Sequence, residues 1–287
     1  MLFFPRGDAA LSVIPTTSRD RQGLERMIDG ARWRHLHLDW YDPLLVIDET
    51  PFLKITRGST ILGCLGCPPE IPGRAWIRVL AVSRGLDLQT SWDQLWSATT
   101  RAAKQASLQT IDILLSARWM APLLSDAGFQ RSDEVVFFEQ QASFPPPSPP
   151  ASGIIRPMTA DDVPAVLRLD GSAFDVPWRM SPRSLRAALK TAAYASLYEL
   201  EGEIVGYQVT SHSPYSAHLS RLAVAAEHAR CGLGTALTLD AVRALAPRAP
   251  ERWTVNTQAS NQPAQALYRQ LGFRETGVHY PMHTIHL

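Results

Sequence analysis

A run of prolines in the middle of the chain does most to limit its possible folds. Residues 144–152 read Phe-Pro-Pro-Pro-Ser-Pro-Pro-Ala-Ser. Proline lacks the backbone N–H that helices and sheets need, and consecutive prolines favour an extended, semi-rigid conformation. A chain of 287 residues is long enough for two domains. We therefore predict a first domain over residues 1–142, a linker over 143–152 and a second domain over 153–287.

The charge balance and the start of the chain limit the classes of partner. Charged residues make up 19% of the chain and the net charge is +1, so no strong field attracts nucleic acid or an anionic membrane. The apolar start at Met1–Asp8 is too short for a secretory signal, and no apolar stretch is long enough to span a bilayer. We expect a cytoplasmic protein that acts on a small molecule or a peptide.

The three cysteines predict neither a disulfide framework nor a metal site. Cys64 and Cys67 have CxxC spacing, but the chain has no second pair to complete a tetrahedral site. The residues before Cys64 have the pattern of a strand, so the pair is interpreted as small residues in a strand and its turn. Cys231 lies in a glycine-containing loop described below. No metal is predicted.

The pattern after the linker is that of an α/β domain in which helices cover a largely antiparallel sheet. The predicted elements are a strand at 154–158, a helix at 161–171, a helix that begins at Ser181-Pro182, strands at 195–200, 204–210 and 217–224, a helix at 232–245, a strand at 253–257, a helix at 262–271 and closing strands around 277–285.

Two motifs follow the third strand of this domain. The segment Gly232–Thr235 reads Gly-Leu-Gly-Thr and opens a predicted helix, where bare backbone N–H groups favour phosphate oxygens. One strand later, Asn261–Phe273 reads Asn-Gln-Pro-Ala-Gln-Ala-Leu-Tyr-Arg-Gln-Leu-Gly-Phe. Together, and in this order, the two segments resemble the motifs of the GNAT acetyltransferase superfamily, which bind acetyl-CoA.

The resemblance implies an acetyl-CoA site in the second half. In the family, the strand before the glycine loop separates from its neighbour, and its backbone binds the pantetheine and the thioester carbonyl. The chain departs from the family pattern at Ala229, where the family has glutamine or arginine, so backbone N–H groups rather than this side chain are expected to bind the phosphates. The implied cofactor-binding residues are Leu222, Ala223, Val224, Arg230, Cys231, Gly232, Leu233, Gly234, Thr235, Asn261 and Tyr268.

Tyr268 is the predicted general acid, because the family often has a tyrosine near the CoA sulfur at this position. A phenol is protonated at neutral pH and can donate to a departing thiolate. The alternative is a tyrosine that packs its ring in the core. Asn261 is expected to bond either the cofactor or the start of its helix. The general base is left open among His212, His218, Glu199 and water.

The acceptor is predicted to be a primary amine. Residues 173–178 read Ala-Phe-Asp-Val-Pro-Trp and resemble a loop of the branch that acetylates N-terminal alanine, although Phe174 and Trp178 would also serve as core anchors. That branch carries a glutamate where this chain has Asn256, and an amide cannot act as a base. Peptide N-termini, aminoglycosides, polyamines and amino-acid amines therefore stay open, as does the oligomeric state.

The first half repeats the plan of the second in diverged form. Ala75–Val82 lines up with Ala217–Val224, and Leu123–Phe129 with Leu267–Phe273, at nearly one offset. The first copy has no Gly-x-Gly after Val82. We interpret it as a degenerate GNAT-like domain that is structural or shapes the substrate cleft, with Trp33–His37 as candidate cleft residues or as packing residues of a helix.

Three hypotheses follow for the whole protein. The leading one is a tandem GNAT-like N-acetyltransferase that transfers acetyl from acetyl-CoA to a primary amine. The alternative is a non-catalytic acyl-CoA-binding regulatory protein, and a third is a scaffold for a protein partner.

Overall fold

A computed structural model describes residues 10–38, 42–141, 144 and 153–287. Apart from Phe144, the predicted linker lies outside the described residues. The apolar start at Met1–Asp8 lies outside them as well. The chain divides into two compact units. The first comprises residues 1–132 with 282–287, and the second comprises 133–281.

The first unit is a mixed α/β unit. Its elements are β1 Leu11–Pro15, α1 Arg21–Gly30, β2 Trp33–Leu36, β3 Phe52–Arg57, β4 Thr60–Gly66, β5 Pro69–Ile71, β6 Arg74–Trp76, β7 Val79–Val82, α2 Leu88–Gln105, β8 Thr110–Leu114 and α3 Met120–Asp126. It contains a five-stranded antiparallel sheet in the order β1-β3-β4-β7-β2. Its core lies between these strands and the long helix α2, which buries Trp92, Leu95 and Ala103.

The elements of the second unit are β9 Gln130–Gln141 from residue 133 onward, β10 Ile154–Pro157, α4 Val163–Ala173, α5 Pro182–Thr191, β11 Tyr194–Leu200, β12 Glu203–Ser213, β13 Ser216–Val224, α6 Leu233–Leu245, β14 Arg252–Gln258, α7 Gln262–Gln270 and β15 Arg274–His286 up to residue 281. Six of its strands are paired in the order β10-β11-β12-β13-β14-β9. The pairings in this series are antiparallel except that of β13 with β14.

These elements confirm the predicted α/β class and most predicted segments of the second half. Ser181 caps α5 by accepting from the backbone N–H of Ser184, as the Ser-Pro start predicts. The closing region differs, because a single strand, β15, covers the range in which several were expected. In the first half, Trp33–Leu36 forms a strand, so the expected helix there is wrong.

The structure repeats itself at one offset, which confirms the tandem arrangement. Strand β6 pairs in parallel with β8 from Arg74↔Thr110, and β13 pairs in parallel with β14 from Ser216↔Arg252. Both strands of the second pair lie 142 residues after those of the first (216 − 74 and 252 − 110). Each repeat also has a capping box at its first helical turn, Thr17 with Asp20 and Thr159 with Asp162.

The last strand of each repeat belongs to the other unit. Strand β9 ends the first repeat, yet its residues from Val135 to Gln141 pair with β14 in the second unit. Strand β15 ends the second repeat, yet Met282 to His286 pair with β8 in the first unit. Neither unit is therefore built from one repeat alone.

Cys64 lies in β4 and Cys67 directly follows its end, which confirms the strand part of the interpretation. Both cysteines are free and buried. Burial raises the pKa of the Cys64 thiol to about 12. Within the described ranges, no group of three or more His, Cys, Asp or Glu could hold a metal ion. None of the helices that the structure describes is long and apolar enough to cross a membrane.

Candidate functional site

Strands β13 and β14 part in the middle of the second unit. They pair at four rungs, from Ser216↔Arg252 to Leu219↔Val255. Beyond these rungs β13 continues beside β12 to Val224, while β14 continues beside β9 to Gln258. A wedge-shaped gap therefore opens between two strands that are neighbours lower in the sheet.

The backbone of β13 faces this gap with groups that β14 does not pair. The extra residue Ser220 makes a bulge where the strands begin to part, since Thr210 pairs with Leu219 and Val209 with Arg221. Beyond the bulge, the N–H of Ala225 donates to the carbonyl of Val205 at 2.8 Å. Hydrogen-bonded and non-bonded rungs alternate in an antiparallel pair, so the backbone groups of Leu222 and Val224 point away from β12 and into the gap.

The glycine loop starts α6 beside the open end of the gap. Gly232 is the residue before the helix, with φ of 83° and no side-chain cap. The first helical bond in this turn runs from the N–H of Ala236 to the carbonyl of Gly232 at 2.9 Å. The earlier N–H groups of α6 have no partner within the helix and make an electropositive helix end.

The two glycines of the loop have different roles. A Cβ on Gly232 would meet no atom within 4 Å, so lack of space does not require glycine here. Glycine is favoured because the backbone is left-handed, and its missing side chain leaves the helix end uncovered. A Cβ on Gly234 would lie 3.0 Å from the Leu267 side chain of α7 and 3.8 Å from that of Leu222. Gly234 therefore allows α6 to pack closely against both β13 and α7.

Helix α7 starts where the second motif begins. The Asn261 side chain accepts a hydrogen bond from the backbone N–H of Ala264 at 3.1 Å, so the asparagine caps the helix. This is the second of the two roles expected for it.

Tyr268 lies in the core of the second unit. Its ring is 5% exposed, and its centroid lies 6.1 Å from that of Phe138 and 5.9 Å from that of Phe273. Burial raises the pKa of Tyr268 above its ordinary value, and the nearby charge of Arg221 opposes this rise. The phenol is therefore fully protonated at neutral pH, with its ring packed as a core residue. Its role as an acid stays a prediction.

The candidate bases differ in their surroundings. Glu199 is in an ion pair with Arg156 at 2.9 Å. His212 pairs opposite Ala217, a residue of the core under α6 and α7. His218 lies on the opposite face of β13, where its Nδ1 contacts Thr254 Oγ1 at 2.8 Å.

His218 is the candidate that the structure brings next to the site. It occupies the third of the four rungs that precede the gap and interacts with Asn256, the residue in the family's glutamate position. Burial lowers the pKa of His218 below 6.5, and hydrogen bonding to Asn256 and Thr254 partly offsets this shift. The imidazole is therefore neutral at neutral pH.

A buried ion pair beside the gap was missed by the sequence reasoning. Asp170 of α4 and Arg221 of β13 are joined at 2.5 Å, with side chains 1% and 10% exposed. They are 51 residues apart, and no local pattern in the sequence links them.

In the first unit the equivalent gap is filled by a strand of the same unit. Strands β6 and β8 also pair only up to Trp76↔Asp112, but β2 then runs antiparallel to β7, from Trp33↔Val82 to Leu36↔Val79. The backbone of His37 extends this pairing by donating to the carbonyl of Arg78 at 2.9 Å. The edge of β7 that corresponds to the free edge of β13 is therefore already paired.

Side chains fix β2 in that position. His35 Nδ1 contacts the hydroxyl of Ser116, just after β8, at 2.9 Å. The Trp33 ring lies 5.6 Å from that of Trp119, the residue before α3. The predicted cleft residues Trp33–His37 thus fill the gap of the first unit instead of lining an open cleft.

The parted parallel strands, the uncapped helix after them and the capped helix beyond define the second unit as an α/β fold with a gap between two central parallel strands. Residues 163–273 match the model of the acetyltransferase (GNAT) family. This part of the chain belongs to that family, whose members use acetyl-CoA as co-substrate.

Known proteins resemble both the second unit and the whole chain. A Bacillus subtilis (strain 168) protein named as an alanine N-acetyltransferase of ribosomal protein bS18 is 25% identical over 124 residues, which cover 43% of this chain and 82% of that protein. A tandem GNAT protein of the clavulanic acid biosynthesis pathway aligns with a TM-score of 0.70 at 16% identity, over 96% of this chain and 98% of its own. A GCN5-related N-acetyltransferase from Sphaerobacter thermophilus aligns with a TM-score of 0.64 at 14% identity, over 96% of this chain and 95% of its own.

Proposed function

We propose that the second unit transfers an acetyl group from acetyl-CoA to a primary amine by direct attack. The observation that carries this proposal is the gap between β13 and β14, with unpaired backbone on one side and the open end of α6 at its mouth. Membership of residues 163–273 in the GNAT family supports the cofactor and the class of reaction.

The proposed binding mode follows from the backbone. The pyrophosphate would lie at the N-terminus of α6, against N–H groups of the segment from Arg230 to Thr235. The pantetheine would pair with the backbone of Leu222 to Val224, as a strand would. Ala229 and the left-handed Arg230 leave the loop without the family's arginine or glutamine, so backbone groups supply most of this binding.

The proposed chemistry needs an oxyanion site, a proton acceptor and a proton donor. Backbone N–H groups of β13 in the gap would stabilise the tetrahedral oxyanion. We assign proton removal from the amine to His218, which is neutral and adjacent to Asn256. Tyr268, held protonated by burial, would return a proton to the CoA thiolate.

A peptide α-amine is the acceptor that we favour. The Bacillus subtilis relative is named as an alanine N-acetyltransferase of a ribosomal protein, and the segment Phe174–Trp178 resembles a loop of the branch that acetylates N-terminal alanine. Asn256 replaces the branch's glutamate, so small amines stay in the test.

Calorimetry with acetyl-CoA and a thiol-release assay together test this function. The acceptor panel contains hexapeptides that differ only in the first residue, spermidine and an aminoglycoside. Binding with amine-dependent release supports the proposal and identifies the acceptor class. Binding without release for any amine would instead support a non-catalytic acyl-CoA-binding protein, and no binding would contradict the acetyl-CoA site itself.

A further inference from the structure

A buried polar cluster joins the loop between α4 and α5 to the strand that forms the gap. The loop of interest, residues 174–180, follows α4 and precedes α5, and we call it the α4–α5 loop. Asp170, Tyr207 and Arg221 make the cluster, and they lie on α4, β12 and β13. Tyr207 is fully buried and Asp170 nearly so.

The Asp170 carboxylate is the centre of this cluster. One oxygen accepts from Arg221 Nε at 2.9 Å, from Arg221 Nη2 at 2.5 Å and from the Tyr207 hydroxyl at 2.5 Å. The other oxygen accepts from the backbone N–H of Met180 at 2.8 Å. The carboxylate therefore uses one oxygen for the sheet and the other for the end of the α4–α5 loop.

Arg221 binds the same loop from the other side. Its Nη2 donates to the carbonyl of Trp178 at 2.7 Å, and its guanidinium lies over the Phe174 ring with 3.5 Å between Cζ and the ring centre. The loop is thus attached at its start, at Trp178 and at Met180. Only arginine combines a planar face for an aromatic ring with several donors in a fixed geometry.

The position of Arg221 links this attachment to the gap. It follows the bulge residue Ser220 and directly precedes Leu222, the first residue whose backbone faces the gap. The guanidinium is held as a cation, because contacts with Tyr207 and Asp170 outweigh the lowering of its pKa by burial. A buried cation with several hydrogen-bond partners is a rigid element on which a loop can be positioned.

We propose that Asp170 and Arg221 are positioning residues that fix the α4–α5 loop for the acceptor amine. This inference rests on the proposed function and assigns the loop to the acceptor rather than to acetyl-CoA. Neither residue touches the reacting atoms. Loss of the clamp should therefore weaken acceptor recognition and leave acetyl-CoA binding nearly unchanged.

The test uses the full chain with Arg221→Lys as the main variant. Lysine keeps the positive charge but has a single donor nitrogen, so it loses the fixed two-nitrogen geometry and the planar face. Tyr207→Phe removes only one hydroxyl and serves as a milder second variant. Arg74→Lys is the matched control, because Arg74 also makes a buried two-donor contact with an aspartate, Asp112, in the first unit.

Hydrogen exchange and kinetics give separate readouts. In Arg221→Lys we expect amide exchange in residues 174–180 to rise about tenfold and the acceptor KM to rise about tenfold, since about one charge-assisted hydrogen bond is lost. The acetyl-CoA Kd should stay within about twofold. Arg74→Lys should change neither the exchange of this loop nor the acceptor KM.

Several results would overturn the inference. Unchanged exchange in the loop would show that the cluster does not hold it, and an equal loss of acetyl-CoA affinity would assign the cluster to the cofactor. If the unaltered protein acetylates no amine of the panel, the proposed function and the acceptor role fail together. The exchange data then still decide whether the loop is held by this cluster.

Discussion

The two units share one plan and differ where their central parallel strands part. In the second unit the gap beyond Leu219↔Val255 is open, and an uncapped helix starts at its mouth. In the first unit β2 fills the gap, and the helix that follows is capped by Asp87, whose carboxylate accepts from the N–H of Thr90 at 2.8 Å. The first unit thus supplies from its own chain what the second would take from a ligand.

This difference shows two separate ways in which a duplicated site can close. A strand uses the hydrogen-bonding edge that pantetheine would use, because both present a chain of polar groups to a free β edge. A capping carboxylate uses the helix N-terminus that a phosphate would use. Either change alone would be expected to weaken acyl-CoA binding, and the first unit has both.

The largest expected effect comes from separating the repeats at the linker. A fragment of residues 153–281 lacks β9, which pairs with β14 along Arg252–Gln258 and buries Val136 and Phe138 in the core. Burial of two such side chains is worth about 3–6 kcal/mol, against about 5–15 kcal/mol for a whole domain. We expect this fragment to be unfolded, as measured by circular dichroism.

The fragment 133–281 is the matched control, because it keeps β9 and corresponds to the second unit. It should show a cooperative thermal transition. Equal melting of the two fragments would contradict the exchange of last strands between the repeats.

The next effect concerns the open helix of the second unit. Gly232→Glu puts a carboxylate beside the N–H groups where phosphate should bind, and we expect acetyl-CoA affinity to fall about 100-fold or more. Gly232→Ala is the control, because it has the same left-handed backbone cost without the charge. Calorimetry should show a loss of at most a few-fold for the alanine variant. Similar losses in both variants would mean that backbone strain, not phosphate competition, is responsible.

Tyr268→Phe tests whether Tyr268, buried in the last turn of α7, is the general acid. The ring packing against Phe138 and Phe273 is kept, so the acetyl-CoA Kd should change little. The kcat should fall about 100-fold, the usual lower range for loss of a general acid. Full activity of this variant would leave Tyr268 as a packing residue only.

A smaller effect is expected in the pH profile. The pKa of His218 is lowered in the folded protein, so its neutral form persists below pH 6.5. Activity should therefore hold between pH 8 and about 6.5 and decline only at lower pH, as the imidazole is protonated. Since the folded protein binds fewer protons here than the unfolded chain, the free energy of unfolding should also fall below about pH 6.5. Profiles of kcat/KM against pH for the wild type and His218→Gln separate the effect on activity from the effect on stability. The variant should lose most of its activity, and its remaining activity should no longer decline at acidic pH.

Much of the fold and the backbone geometry of the candidate site could be predicted from the sequence, because their signals are local. Gly232 and Gly234 mark a backbone position, and Asn261 marks a helix start. The matching sequence segments predict nearly one offset between the repeats, and the paired strands give 142 residues (216 − 74). Each of these features depends on residues that are neighbours in the chain.

The features that could not be predicted depend on long-range pairing. Nothing in Trp33–Leu36 indicates that its partner is β7, so the sequence does not predict a strand that fills the gap. The Asp170–Arg221 pair joins α4 to β13 across 51 residues. The exchange of the last strands, β9 and β15, between the repeats likewise has no local pattern. The sequence of a strand alone does not determine which strand it pairs with.

The smallest expected effect tests how the first unit is closed. Asp87→Gly removes the cap from α2 and exposes a helix end like that of α6. We still expect calorimetry to give one acetyl-CoA per chain, because β2 continues to pair with β7 and leaves no edge for pantetheine. In the same assay Gly232→Glu should leave no tight site. A second site in the Asp87 variant would mean that the cap, and not the strand, keeps the first unit closed. Two sites in the unaltered protein would contradict both closures at once.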